Sequence, residues 1–163
     1  MVNNNHYDYI IAGAGASGLS LLWYFLQSRL KNRSFLVIDN LFSEAPAKTW
    51  CFWDPDNIPF DNLTRQSWNL LSVKDGDSVI DEKLQNYRYC AIDSSSFSRF
   101  ILDYASGFRN VEFRQETILT IESSEKTAVV TTNAGTYRCE YAFQSALKPR
   151  GFESAKMDIS IKQ

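Results

Sequence analysis

Residues 7–26, YDYIIAGAGASGLSLLWYFL, decide how the chain is read. The first part, YDYIIAG, is short, apolar and β-rich, which predicts a buried strand. From Gly18 onward Leu19, Leu22, Trp23, Leu26 and Leu30 recur at helical spacing and give one apolar face. KNR at 31–33 breaks that pattern. SFLVID at 34–39 then predicts a second strand, apolar throughout, as in a parallel sheet covered on both faces. Strand, helix and strand in succession make a βαβ unit.

Between the first strand and the helix, Gly13, Gly15 and Gly18 form G-x-G-x-x-G. The spacing has a physical reading for each glycine. Gly13 permits a tight turn. Gly15 lacks a side chain, so a pyrophosphate can approach the backbone. Gly18 lets the helix pack close to the strand. The helix start offers unpaired N–H groups and the positive end of its dipole to phosphate. Asp39 ends the second strand, about twenty residues on, where a carboxylate can accept from a ribose 2′-hydroxyl and would repel a 2′-phosphate. Glycine loops are common. Here the strand, helix, second strand and acid all stand in the required order.

The remaining chain departs from a simple repeat of that unit. Residues 40–86 give no second clean βαβ. They carry Pro46, Pro55 and Pro59, a Trp/Phe cluster and the turn-like KDGDS. YRYCAI at 87–92 predicts a strand. Asp93 or a following serine can cap a helix through Phe97, Phe100, Ile101 and Tyr104 that ends near Gly107. VEFR predicts a short strand, ETILTIESS and TAVVTTNAG a hairpin, and TYRCEYAFQSA a further strand. A nicotinamide domain would continue with more βαβ units. A long aromatic excursion followed by a hairpin suits FAD better than NAD. The expected class is α/β: a Rossmann-like FAD/NAD(P)-binding domain of the two-dinucleotide-binding-domain flavoprotein type, incomplete at its C-terminus. It spans residues 1–150, with an aromatic insertion at about 45–86 and an irregular tail at 151–163.

Bulk composition narrows the partners. At 163 residues and 18.7 kDa, with 44% hydrophobic residues, the chain fits one domain with a packed core. A net charge of −2 without a long basic run argues against nucleic acid. The longest apolar run is too short for a membrane-spanning helix. MVNNNH has no secretory signal character. Cys51, Cys90 and Cys139 are dispersed and odd in number, which suits a reducing cytoplasm rather than a disulfide frame or metal site. The single histidine, His6, lies in a polar tail and points to neither nucleophilic nor metal chemistry.

KTWCFWDPDN at 48–57 is the second informative stretch. Trp50, Phe52, Trp53, Phe60 and Trp68 lie in it or soon after it, as packing for a long insertion or as an apolar wall beside a flavin ring or hydrophobic substrate. With YDYIIAGAGASGLSLL, LVID, TWCFW and the Ser67-Trp68 pair, the chain resembles the lycopene cyclase family over residues 7–150. The resemblance implies FAD, used in reduced form, and a non-redox reaction. A proton reaches a terminal double bond of lycopene, a carbocation closes a six-membered ring, and a proton is lost to leave a β-ionone-type end. It implies lycopene or a related acyclic carotenoid as substrate, and peripheral contact with the inner face of the cytoplasmic membrane. The cofactor-binding residues expected are Gly13, Ala14, Gly15, Ala16, Ser17, Gly18, Asp39 and Trp50. No residue is assigned as the catalytic acid, and no metal ligand is expected.

The chain also departs from the family. The family's chains are longer, and its glutamate-rich acidic motif and later Gly-Asp segment have no counterpart here. Gln144, Ala146 and Leu147 replace the Asp-Ser-Arg type of ending in YAFQSALKP. The expectation is an N-terminal portion with an unrelated tail after about residue 152, inactive by itself. Should it be active, the acid would lie among Asp54, Asp56, Asp61 or their neighbours. The competing readings are another FAD-dependent oxidoreductase or monooxygenase-type flavoprotein and a non-catalytic dinucleotide-binding remnant. The flavoenzymes usually carry an Arg-rich segment where this chain has KTWCFW.

Overall fold

The computed structural model describes residues 5–42, 46–55, 58–76 and 78–145. Strand β1 (His6–Ala12) leads through the glycine turn into helix α1 (Ala16–Gln27), and β2 (Phe35–Asp39) follows. The helix starts at Ala16, two residues before the position expected from the leucine pattern. Gly15 is already its N-cap, and Leu19 N–H donates to the Gly15 carbonyl at 3.0 Å. Ser34 stays outside β2 because its N–H and hydroxyl both donate to the Asp8 carboxylate.

The main sheet has six strands in the order β8-β2-β1-β11-β10-β9, where β8 is Val111–Gln115, β9 Ile118–Ser123, β10 Ala128–Thr132 and β11 Thr136–Gln144. Strands β8, β2, β1 and β11 run parallel, and β9, β10 and β11 form an antiparallel meander. The continuous apolar character of β2 follows from its position. Phe35 and Val37 face the core shared with α1 and with α2 (Ser94–Ala105), while Leu36 and Ile38 face a second core under the meander. Asp93 caps α2, as expected, by accepting from the N–H groups of Ser95 and Ser96 at 3.0 Å each.

The aromatic excursion is more ordered than its sequence suggests. It forms β3 (Thr49–Asp54), a 3₁₀ turn at Asp61–Leu63, β4 (Thr64–Trp68) and a hairpin of β5 (Leu70–Asp75) and β6 (Ser78–Lys83). Strands β3 and β4 flank β7 (Arg88–Asp93) in a small antiparallel sheet. Strands β4 to β6 escape a periodicity test because most of their residues are exposed on both faces, so no apolar alternation marks them. Among the described residues no helix is long and apolar enough to cross a membrane.

Candidate functional site

Three chain segments meet at the turn after β1. Gly13 has φ of 112°, a left-handed backbone that favours glycine, and its N–H donates to the Ile38 carbonyl at 2.8 Å. A Cβ added to Gly18 would overlap the Gly13 carbonyl oxygen, sit 3.1 Å from the Gly13 carbonyl carbon and 2.9 Å from Ser145 Oγ. Gly18 is therefore a packing glycine. A Cβ on Gly15 would meet nothing within 4 Å. Open space surrounds that position, and Gly15 is one of the residues that line the cavity described below. The roles expected for the three glycines are thus separated by what surrounds each one.

Asp39 is fastened to the same turn. Its Oδ2 accepts from Ala14 N–H at 2.7 Å, and its Oδ1 accepts from the N–H groups of Leu41 and Phe42 at 2.8 and 3.0 Å. The amides of Gly13 and Ala14 are thereby committed to protein acceptors. The first-turn amides of Ala16, Ser17 and Gly18 precede the first bond of α1, above a cap that brings no side-chain acceptor of its own. From the other side the end of β11 grips the turn. Ser145 N–H donates to the Ala12 carbonyl at 2.8 Å, and Ser145 Oγ donates to the Gly13 carbonyl at 2.9 Å. Of the residues expected to depart from the family ending, Gln144 closes β11, while Ala146 and Leu147 lie outside the described residues.

Beside the turn lies a cavity of about 420 Å³. Ala14, Gly15 and the Asp39–Phe42 loop form one wall, and Lys48, Trp50 and the Ser94–Asp103 face of α2 form the other. Two cations, Lys48 and Arg99, thus share a cavity with a glycine turn and two carboxylates, Asp39 and Asp103. Sequence reading missed Lys48, Ser95, Ser98, Arg99 and Ser145. A signal for the α2 group was present: Ser94/Ser98 and Ser95/Arg99 recur four residues apart, the spacing of one helix face. Ser145 had no local signal, because only the parallel pairing of β11 with β1 brings it to the turn.

A second, apolar cavity of about 550 Å³ shares Trp50 with the first. Phe52, Ile58, Phe60, Ile92 and Phe97 line it, with Ala16, Ser20 and Tyr24 from α1. The Trp50 ring meets Phe97 edge-on at 5.6 Å, and Phe97 meets Phe60 at 4.9 Å. The aromatic cluster does not form a single wall. Alternation along β3 turns Trp50 and Phe52 inward and Trp53 outward, where it packs with Trp68 on Tyr89 at 4.9 and 6.0 Å and stays 53% exposed.

The acids considered as proton donors are differently employed. Asp54 is fully buried and ion-paired with Arg88 at 2.6 Å, and Asp61 pairs with the same guanidinium. Asp56 lies outside the described residues.

A family model described as lycopene cyclase protein matches residues 8–159. The chain belongs to the lycopene cyclase family. The matched span includes residues 152–159, which belong to the tail expected to be unrelated. No curated protein gives a significant sequence match. Among solved structures the chain is similar to PqsL, a probable FAD-dependent monooxygenase from Pseudomonas aeruginosa, with TM-score 0.63 and 17% identity over 84% of this chain and 41% of that one. It is similar to the p-nitrophenol 4-monooxygenase PnpA from Pseudomonas putida DLL-E4, with TM-score 0.62 and 13% identity over 83% of this chain and 39% of that one. The halogenase PltM gives TM-score 0.59 and 14% identity over 88% of this chain and 36% of that one. At these identities the likeness concerns the fold: a Rossmann-like domain of the kind FAD-dependent enzymes use. The lycopene cyclase family chain spans about two-fifths of the length of these structures.

Proposed function

We propose that this lycopene cyclase family chain binds FAD through its adenosine and pyrophosphate portions and does so in the service of ring closure at the ends of a lycopene-type polyene. The observation that carries the reading is the open cradle at Gly15, set beside a cavity that holds Asp39, Lys48 and Arg99. The donor set suits an adenosine diphosphate group. The first-turn amides and the α1 dipole attract the pyrophosphate. Lys48 and Arg99 offset its charge. The Asp39 carboxylate accepts from the ribose and disfavours a 2′-phosphate.

Reduced FAD, when bound, supplies an electron-rich ring beside the reacting polyene in a reaction with no net redox change. The chain's own part is to exclude water and to wall the apolar space. Trp50, Phe52 and Phe60 present aromatic surface on the inner side of β3, and aromatic faces stabilise a nearby cation. Asp54 and Asp61 are tied to Arg88, and the reading assigns the proton to neither. Lycopene is membrane-dissolved, so the reading includes peripheral contact with the cytoplasmic membrane.

The test is calorimetric titration with FAD of the parent chain and Gly15→Val. The β-branched side chain would fill the cradle, so binding should be lost. Equal heats for both proteins would remove the glycine turn from the account. The competing reading is a monooxygenase-type flavoprotein, as the names of the structural neighbours suggest. It requires FAD-dependent oxidation of NADH or NADPH, followed at 340 nm, where the cyclase reading expects no turnover of nicotinamide.

A further inference from the structure

The Asp39 carboxylate has more partners than a ribose-binding acid needs. Three backbone N–H groups converge on it: Leu41 and Phe42 on Oδ1, and Ala14 on Oδ2. A carboxylate offers about four acceptor positions, two on each oxygen. Both positions on Oδ1 are filled, and one on Oδ2 is filled. One remains, on an oxygen that faces the glycine turn. The Ala14 bond, at 2.7 Å, is the short, charge-assisted kind. It ties the second residue of the turn to the end of β2. The Gly13–Ile38 bond does the same one residue earlier.

We propose that Asp39 is a positioning residue for the phosphate-binding turn as well as a ribose acceptor, and that it recognises one ribose hydroxyl only. This rests on the dinucleotide reading above and extends it. The carboxylate sets where the first-turn amides of α1 point, because Ala14 precedes the Gly15 cap directly. A neutral amide at this position cannot do both tasks. Asn carries one acceptor oxygen and one donor NH₂, so it would present a donor either to Ala14 N–H or to the Leu41 and Phe42 pair. The amide oxygen satisfies more donors on the Leu41 and Phe42 side, so the NH₂ faces Ala14 and the turn loses one of its two attachments. A loss of pyrophosphate affinity would then oppose simple electrostatics, since removing a negative charge favours anion binding.

Two measurements test this. The first needs no ligand: amide hydrogen exchange at Ala14, Leu41 and Phe42 in the parent chain and in Asp39→Asn. The Ala14 amide should be protected in the parent and should exchange about tenfold faster or more in the variant. Unchanged protection at all three amides would overturn the positioning role. The second is calorimetric titration of both proteins with ADP, 2′-deoxy-ADP, 3′-deoxy-ADP and inorganic pyrophosphate. In the parent, one deoxy analogue should bind about tenfold more weakly than ADP and the other equally. Asp39→Asn should lose that discrimination and should also bind pyrophosphate more weakly. Equal weakening by both deoxy analogues would overturn the one-hydroxyl limit. Equal or tighter pyrophosphate binding by the variant would overturn the positioning role. A parent chain that binds none of these ligands would sink the dinucleotide reading and with it the one-hydroxyl limit, while the exchange data would still decide what Asp39 does for the turn. If Asp39→Asn does not fold, the analogue series on the parent alone decides the hydroxyl question.

Discussion

Replacing Gly18 by Ala sets two known effects against each other. Ala is the better helix former, by up to about 1 kcal/mol in a helix interior. Its Cβ, however, would stand 3.1 Å from the Gly13 carbonyl carbon, with the carbonyl oxygen nearer still. The oxygen overlap is the limiting contact, so the helix start must retreat from the turn by about an ångström or more to restore ordinary van der Waals separation. The obstacle is backbone, held by Ser145 on one side and by Ile38 on the other, and cannot rotate away as a flexible side chain would. Overpacking of this kind costs about 1–3 kcal/mol, and a rigid neighbour puts the cost at the upper end. The steric effect therefore wins, with a net loss of at least about 2 kcal/mol. In a chain of this size that lowers Tm by roughly 4–8 °C. Urea unfolding followed by circular dichroism reads the change directly. Gly15→Ala is the control: φ is −78° and nothing lies within 4 Å, so the fold should be unaffected while FAD binding weakens. A Gly18→Ala protein as stable as the parent would show that the turn yields easily and that the close approach is not a constraint.

Three other outcomes follow from the structure. Arg88→Met should be strongly destabilising, because it leaves the fully buried Asp54 without its guanidinium; the double variant with Asp54→Leu should regain much of the loss, and thermal unfolding of the pair checks both. Alkaline pH should weaken the fold. Burial and bonds to Glu112 and Glu116 push the Tyr7 and Tyr137 hydroxyls up to about 12 from 10.0, and burial pushes the Cys139 thiol up to about 11 from 9.0. These groups keep their protons in the folded state after the unfolded chain has lost them, so their contribution is complete below pH 9.0 and declines toward pH 12, which denaturant titrations across that range would show. Cys51 is exposed while Cys90 and Cys139 are buried, so a thiol reagent at pH 8 should label Cys51 first and the other two only after unfolding; prompt labelling of Cys139 would contradict its burial.

Local sequence determined the parts of this protein that are built from near neighbours. The strand, glycine turn and helix at the N-terminus, the buried second strand, the Asp93 cap and the meander were all legible. Each depends on residues a few positions apart: Leu19, Leu22 and Leu26 on one face of α1, or Asp93 accepting from Ser95 and Ser96. The glycine spacing with Asp39 was legible for the same reason, since a βαβ unit brings its two strand ends together by construction. The strands β4 to β6 were not, because a strand with both faces exposed has no apolar period to read, and β3 was not, because its outward Cys51 and Trp53 are as apolar as its inward Trp50 and Phe52.

Tertiary structure alone decided what surrounds those motifs. Only the parallel pairing of β11 with β1 carries Ser145 across the sequence to Gly13, where its hydroxyl fixes the carbonyl that Gly18 packs against. Packing of α2 against α1 and the small sheet brings Arg99 and Lys48 to the turn, and the pleat of β3 divides one aromatic run between an inner cavity and an outer surface. The triple engagement of Asp39 was equally hidden, because a carboxylate in a sequence does not show which amides will face it. The turn's spacing is a local property, whereas the occupation of its donors and acceptors depends on contacts between distant residues.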